Sequence, residues 1–240
     1  MNLQQALKNK IKSKLAISIS SNPGTFGIRV HNAMLKVHNI DCEYQACTTD
    51  NLFETIHLLK KHNVVGCSVS MPYKIAVMPM LDYLDTTAQK AGAVNTIVNE
   101  SGSLIGYNTD LVGAKWACSQ AFGKIALLGN GGMSRAFQAV LTRPYTLIQR
   151  RNWHELRKKY DTIINATPIG MLNDDSPVNN YNHSLAIDSV VRMTPFVKFS
   201  KRSVNGIDIC LQQIAAQYKL YFKKEVIFDV MKTAIKDLYD

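Results

Sequence analysis

The sequence predicts an α/β protein of two domains, each built on a mostly parallel sheet. Three observations predict this. Strand-sized apolar runs alternate with helix-patterned segments along nearly the whole chain. The alternation falls into two runs, the second beginning at Lys124. No internal repeat, low-complexity tract or flexible linker separates them, so the boundary near Gly113 to Gly123 is expected within a helix.

In the first run, MNLQQALKNKIKSK is a basic tail and LAISIS a strand. Asn22, Pro23, Gly24 and Gly27 make the turn into a helix over Val30 to His38. CEYQACTT is a second strand, Leu52 to His62 a helix, and VVGCSVS a third strand ending at Met71-Pro72. Lys74 to Leu81 and Thr87 to Ala91 have helical patterns. NTIVNESGSLIGYN predicts a hairpin turning at Ser101-Gly102, and a helix follows from Asp110 to Ala121.

The second run starts with the strand IALLG, a glycine-rich turn and a helix over Ser134 to Leu141. Strand YTLIQ, helix Trp153 to Lys159, and strands TIINAT and LAIDSVV follow. Strands joined through helices imply right-handed crossovers and parallel pairing. Helices over Ile207 to Lys219 and Ile227 to Tyr239 close the chain. We therefore expect residues 1–112 with 212–240 to form one domain and 113–211 the other.

Composition narrows the function classes. With 240 residues, 46% hydrophobic and 19% charged, the chain can bury a core without disulfides or metals. LAISIS is too short for a signal-peptide core and no run approaches a membrane span, so a cytoplasmic protein is expected. The five cysteines form no C-x-x-C pair and sit at no zinc-ligand spacing to His31 or His38; reduced thiols and no metal are expected. A net charge of +10 suits an anionic partner. The basic residues cluster in the N-terminal tail, at Arg143 to Lys159 and at Lys198 to Arg202. No aromatic-interleaved basic groove accompanies them, which favours small anionic ligands over nucleic acid.

Gly129-Asn130-Gly131-Gly132-Met133-Ser134 follows an apolar strand and opens a helix, the setting in which backbone amides cradle a dinucleotide's pyrophosphate. The alternative is a tight glycine turn without a ligand. The next strand ends in Gln149-Arg150-Arg151, where an NAD enzyme carries an acidic residue for the ribose hydroxyls. Two guanidiniums suit a 2′-phosphate instead, so NADP is expected over NAD unless the pair is merely solvated. The second domain is thus expected to be Rossmann-like.

In SVSMPYK, Lys74 stands just past a strand's carboxyl end, where clefts form in parallel sheets. In YNTDLVGA, Asp110 sits between a hairpin and a helix. Taken singly, these are also an ordinary surface lysine and a helix N-cap.

As an ordered set, seven segments resemble the shikimate dehydrogenase family: GTFGIRVHN, SVSMPYK, GAVNTIV, GYNTDLVG, GNGGMSRA, NATPIGM and GIDICLQQIAAQY. The resemblance implies that Lys74 and Asp110 are the catalytic pair, moving the hydroxyl proton as hydride transfers. A lysine with a lowered pKa, or a lysine and aspartate sharing a proton, can do this in both directions. It also implies that Asn95, Thr109 and Gln213 bind substrate hydroxyls, with Ser70 where the family has Thr. Gly129 to Met133, Arg150, Arg151, Thr167 and Gly206 are then the cofactor residues. The implied reaction is reversible NADP-dependent reduction of 3-dehydroshikimate, by a monomer or homodimer.

The departures bear on the substrate. Thr25 and Gly27 stand where the family holds the carboxylate with two serines, and Ser68 where it has Asn. The Tyr usual after the late strand is missing from SVVRMTP. The patterns SxxPGxFGxxxHN and CxVSMP resemble a shikimate dehydrogenase-like subgroup, expected to use shikimate poorly or to prefer a quinate or amino-shikimate type of substrate. One lost neutral hydrogen bond costs about 0.5 to 1.5 kcal/mol, so the altered loop weakens shikimate binding by up to roughly tenfold. Arg29 could meet the carboxylate instead, or be a solvated loop arginine. A catalytically retired, nucleotide-binding regulator is the remaining alternative.

Overall fold

Short runs of β-branched and other apolar residues become strands here because crossovers on both faces shield them from water. A computed structural model describes residues 1–239. The chain divides into two compact units, Met1–Thr109 with Ile214–Ile235, and Asp110–Gln213 with the described residues from Lys236 on.

The first unit opens with helix α1 (Leu3–Asn9), capped at Asn2, and continues as β1 (Lys14–Ile19), α2 (Phe26–Val37), β2 (Cys42–Cys47), α3 (Leu52–Lys61) and β3 (Gly66–Val69). β4 (Tyr83–Leu84), α4 (Thr86–Ala91), β5 (Thr96–Glu100) and β6 (Ser103–Tyr107) complete its sheet, in the order β2-β1-β3-β5-β6-β4. β1 pairs parallel with β2 and β3. The hairpin β5-β6 is antiparallel and turns at Ser101 and Gly102, both at positive φ. Ile17, Ile19, Val69, Ile97 and Leu104 form the core, with Leu3 and Ala6 of α1 packed into it.

Two expectations are corrected here. The basic tail contains a helix, α1, docked through only two buried residues, too few to register as a periodic pattern. Lys74 to Leu81 is not an α-helix: it is a series of turns ending in a 3-10 turn at Met78–Met80. Pro72 stands just before this stretch and Pro79 within it, and both lack the amide a helix interior requires.

The second unit holds α5 (Asp110–Cys118), β7 (Ile125–Leu128), α6 (Gly132–Val140), β8 (Tyr145–Ile148), β9 (Thr162–Asn165), β10 (Leu185–Asp188), α7 (Pro195–Lys198) and β11 (Ser203–Val204). Its sheet is parallel throughout, in the order β11-β10-β9-β7-β8. Every residue of β7, β9 and β10 is buried, as strands covered on both faces should be. Instead of the expected helix over Trp153 to Lys159, 3-10 turns run from Arg150 to Arg157 and break at Asn152. The Asn152 side chain accepts from Gln149 N at 2.7 Å and donates to Leu147 O at 3.0 Å, closing a local turn where a helix would need continuous backbone bonds.

α8 (Gly206–Phe222) begins in the second unit and ends in the first. α9 (Phe228–Thr233) follows in the first unit, and the expected single helix to Tyr239 is broken into α9 and a 3-10 turn at Lys236–Leu238. None of the five cysteines is in a disulfide.

Candidate active site and cofactor cavity

Each sheet reverses its strand order at the first strand of its unit. β1 lies between β2 and β3, and β7 between β8 and β9. The loops leaving β1 and β7 therefore sit at the switch points, where open sheets bind ligands at the carboxyl ends of their strands.

In the first unit, the loop after β1 is tied to the segment after β3. Ser21 N donates to Met71 O at 3.3 Å, and Ser70 N to Ile19 O at 2.9 Å. Thr25, at the start of α2, is exposed and makes no side-chain cap. Gly27 backs onto Tyr44: a Cβ there would lie 3.4 Å from the ring. Arg29 Nε donates to Ala234 O at 2.8 Å, so this guanidinium is engaged with the end of α9. Ser70 is exposed. Lys74 is half-buried, and its carbonyl accepts from Val94 N at 2.8 Å, which anchors the lysine's backbone beside Asn95 in sequence.

Asn95 and Thr109 are locked together beneath these loops. Thr109 N donates to Asn95 Oδ1 at 2.7 Å, and Asn95 Nδ2 donates to Thr109 Oγ1 at 3.0 Å. Both residues are buried, at 4% and 3% exposure. The backbone amide of Thr109 fixes which end of the Asn95 amide is oxygen. Asp110, 6% exposed, follows directly and begins α5.

Ser68 is placed differently from the other candidates. Its hydroxyl accepts from Tyr44 OH at 2.7 Å, donates to Gln217 Oε1 at 3.1 Å and lies 3.2 Å from Tyr221 OH. Gly66 leaves room for that tyrosine, since a Cβ there would be 2.3 Å from its ring. Neither Tyr44, Gln217 nor Tyr221 was signalled by the sequence, because their significance comes from meeting at one point in space.

In the second unit, Gly129, Asn130, Gly131, Arg150, Arg151 and Thr167 surround a cavity of 730 Å³ at the carboxyl ends of β7, β8 and β9. Gly129 has φ +110°, and a Cβ on it would lie 2.6 Å from Ala166 O. Only glycine fits that conformation and that approach. A Cβ on Gly131 or Gly132 would meet nothing within 4 Å, so the loop's outer face is open to a ligand's backbone-level approach. Ser134, fully buried, donates to Gly129 O at 2.9 Å and pins the loop to α6. Arg150 and Arg151 are exposed on the cavity's edge. These residues fit a phosphorylated dinucleotide.

Met133 opens the first turn of α6, and Gln213 Nε2 approaches its sulfur at 3.9 Å. Gly206 does not line the cavity. A Cβ there would be 2.1 Å from Val190 O, so this glycine lets the start of α8 press against the backbone after β10. Thr167 spends its proton on Asn165 Oδ1 at 2.6 Å. Asn165 Nδ2 donates in turn to Asp188 Oδ1 at 3.0 Å, and Thr194 Oγ1 donates to Asp188 Oδ2 at 2.6 Å. Burial pushes the Asp188 carboxyl up to about 6, against the opposing pull of these donors. A larger cavity of 840 Å³ lies beyond Trp153, lined by Arg157, Tyr160, Asn179 and His183, and contains no residue of the glycine loop. Among the described residues no cluster of His, Cys, Asp or Glu could hold a metal, and no helix is long and apolar enough to cross a membrane.

Residues 24–97 match the shikimate dehydrogenase substrate binding domain. The shikimate dehydrogenase (NADP(+)) of Streptococcus pneumoniae is 31% identical, over 88% of this chain and 91% of that one. The chain belongs to the shikimate dehydrogenase family. A shikimate 5-dehydrogenase-like protein of known structure superposes with a TM-score of 0.84 at 27% identity, covering 94% of this chain and 97% of that one. A shikimate dehydrogenase solved in complex with NADP+ gives a TM-score of 0.80 at 29% identity, covering 97% of this chain and all of the other. In this family member the two-domain α/β architecture, with its Rossmann-like second unit, is therefore that of its relatives.

Proposed function

We propose that the protein catalyses the NADP-dependent, reversible reduction of 3-dehydroshikimate to shikimate, or of a closely related cyclic polyhydroxy acid. The observation that carries this reading is the cavity formed by the glycine loop and edged by Arg150 and Arg151. The amides of Gly129 to Met133 would hold the diphosphate and the arginines a 2′-phosphate, with Thr167 on the cavity wall. The chemistry that NADPH would supply there is a hydride for a ketone carbon.

The chain's own residues then manage the proton. As an ammonium, Lys74 donates to the oxygen that becomes the hydroxyl; as an amine, it takes that proton back in the oxidation direction. Asp110 is the second residue of the pair and orients the reacting hydroxyl. Asn95, Thr109, Ser70 and Gln213 bind the ring hydroxyls, and the Thr25 to Gly27 segment at the start of α2 meets the carboxylate end. The protein acts in the cytoplasm, as a monomer or homodimer, without nucleic acid or membrane partners.

One observation favours a second reading of the substrate. Gly27 carries no hydroxyl and Ser68 is engaged by protein groups, so a quinate or amino-shikimate type of acid becomes a competitor for shikimate. The test follows nicotinamide absorbance with 3-dehydroshikimate, shikimate, quinate and amino analogues, each with NADP(H) and NAD(H). Turnover with the NADP couple is expected; silence across the panel removes the dehydrogenase reading.

A further inference from the structure

A hydroxyl has one proton to give and two lone pairs to receive with. Ser68 gives its proton to Gln217 Oε1 and receives from Tyr44 OH, which leaves the Tyr221 hydroxyl as a donor to its second lone pair. Its capacity is full. On the far side, Gln217 Nε2 donates to Thr96 Oγ1 at 3.1 Å and to Asn95 O at 3.4 Å. Thr96 Oγ1 passes its own proton to Asn95 Oδ1 at 2.7 Å, the atom that also receives Thr109 N. A single directional chain therefore runs from Tyr44, under Gly27 in the first turn of α2, through Ser68, Gln217 and Thr96 to Asn95. Gln217 is 6% exposed, Tyr44 2% and Thr96 0%, so water cannot readily replace a missing member.

We propose that Ser68 and Gln217 are positioning residues: they contact no substrate themselves, and through this chain they hold Asn95 and Thr109 in the orientation that receives the hydroxy acid. The proposal rests on the substrate-binding role read above for Asn95 and Thr109. Because the chain also ends against Tyr44, it couples the start of α2, which departs from the family pattern, to the hydroxyl-binding end of the same unit. Ser68 then affects substrate preference without offering a bond to the ligand.

The experiment is a double-mutant cycle with two readouts. Ser68→Ala, Gln217→Met and their combination are assayed for KM of the hydroxy acid, KM of NADP(H) and kcat. The exchange rate of the Thr109 amide is followed by NMR in the protein without ligands. Each single change is expected to raise KM for the hydroxy acid by about two- to tenfold, with kcat and the cofactor KM unchanged, and to speed Thr109 exchange. The double variant is expected to be no worse than the worse single one. Additive effects on KM, or a Thr109 exchange rate unchanged in all three variants, would overturn the proposal. If Gln217→Met does not fold, Tyr44→Phe removes one hydroxyl at the remote end and carries the same expectation for the Thr109 amide. The exchange readout needs no substrate, so a wild-type protein without turnover would remove the functional reading while leaving this chain to be judged separately.

Discussion

His31 lies flat against Tyr44, with ring centroids 4.1 Å apart and planes 10° apart, at the centre of the first unit. It is fully buried, and neither ring nitrogen meets a partner at hydrogen-bonding geometry, although Gln217 is close enough to favour the charged form slightly. Burial dominates and lowers its pKa to about 3.

Acid should therefore destabilise the protein through this residue. The unfolded pKa is about 6.5 and the folded one about 3, so the neutral ring's contribution is complete above pH 6.5 and is lost as pH falls from there towards 3. At about pH 5 the loss from this group is on the order of 2 kcal/mol. His31→Phe keeps the stack and removes the proton. Urea unfolding at about pH 7 and 5 should show a smaller loss in the variant; equal losses would mean that another group carries the effect.

Asp188 should give the opposite trend. Its folded pKa is raised, so its contribution is greatest below the unfolded value of about 3.8 and is lost as pH rises through about 6. Whatever the fixed cost of Asp188→Asn, its stability relative to wild type should improve between about pH 4 and 7, by on the order of 2 to 3 kcal/mol. A pH-independent difference in unfolding free energy would contradict this.

Arg150 and Arg151 should decide cofactor choice. Replacing both by alanine removes charged hydrogen bonds worth about 1.5 to 3 kcal/mol each when made, so NADP affinity should fall at least tenfold. NAD, which has no 2′-phosphate, should be nearly unaffected. Fluorescence titration with both cofactors makes the comparison, and equal weakening would refute the assignment.

Lys74→Ala should lower kcat by about 10²- to 10⁴-fold, the range typical of a lost general acid or base. NADP binding should persist, because the glycine loop and the arginines belong to the other unit. Undiminished turnover in this variant would support the regulatory alternative.

Gly129→Ala should disable the cofactor loop without touching any ligand-facing side chain. The residue's φ of +110° and the Ala166 carbonyl 2.6 Å from the added Cβ both oppose it. The strain is about 1 to 3 kcal/mol, and displacement of the loop should weaken both cofactors alike. Selective loss of NADP alone would argue against this explanation.

Local patterns carried most of the secondary structure. Ser101-Gly102 supplied the positive-φ turn of β5-β6, and the apolar run ending at Gly129 supplied a strand, a turn and a helix start. The patterns failed where few side chains are buried, as in α1, or where a side chain captures the backbone, as at Asn152. Gly206, a cofactor residue by family resemblance, heads a family block. Its reason for being glycine is the carbonyl of Val190, which no local pattern reports.

The sequence by itself determined the α/β class, and it supplied the glycine loop, the arginines beside it and the Lys74 and Asp110 segments as candidates, since each is encoded in residues near one another in the chain or in ordered family blocks. Only the tertiary structure decided which bonds Ser68 makes. Its three partners come from positions 44, 217 and 221, and whether a hydroxyl is available to a ligand depends on how many of its bonds the fold has already taken.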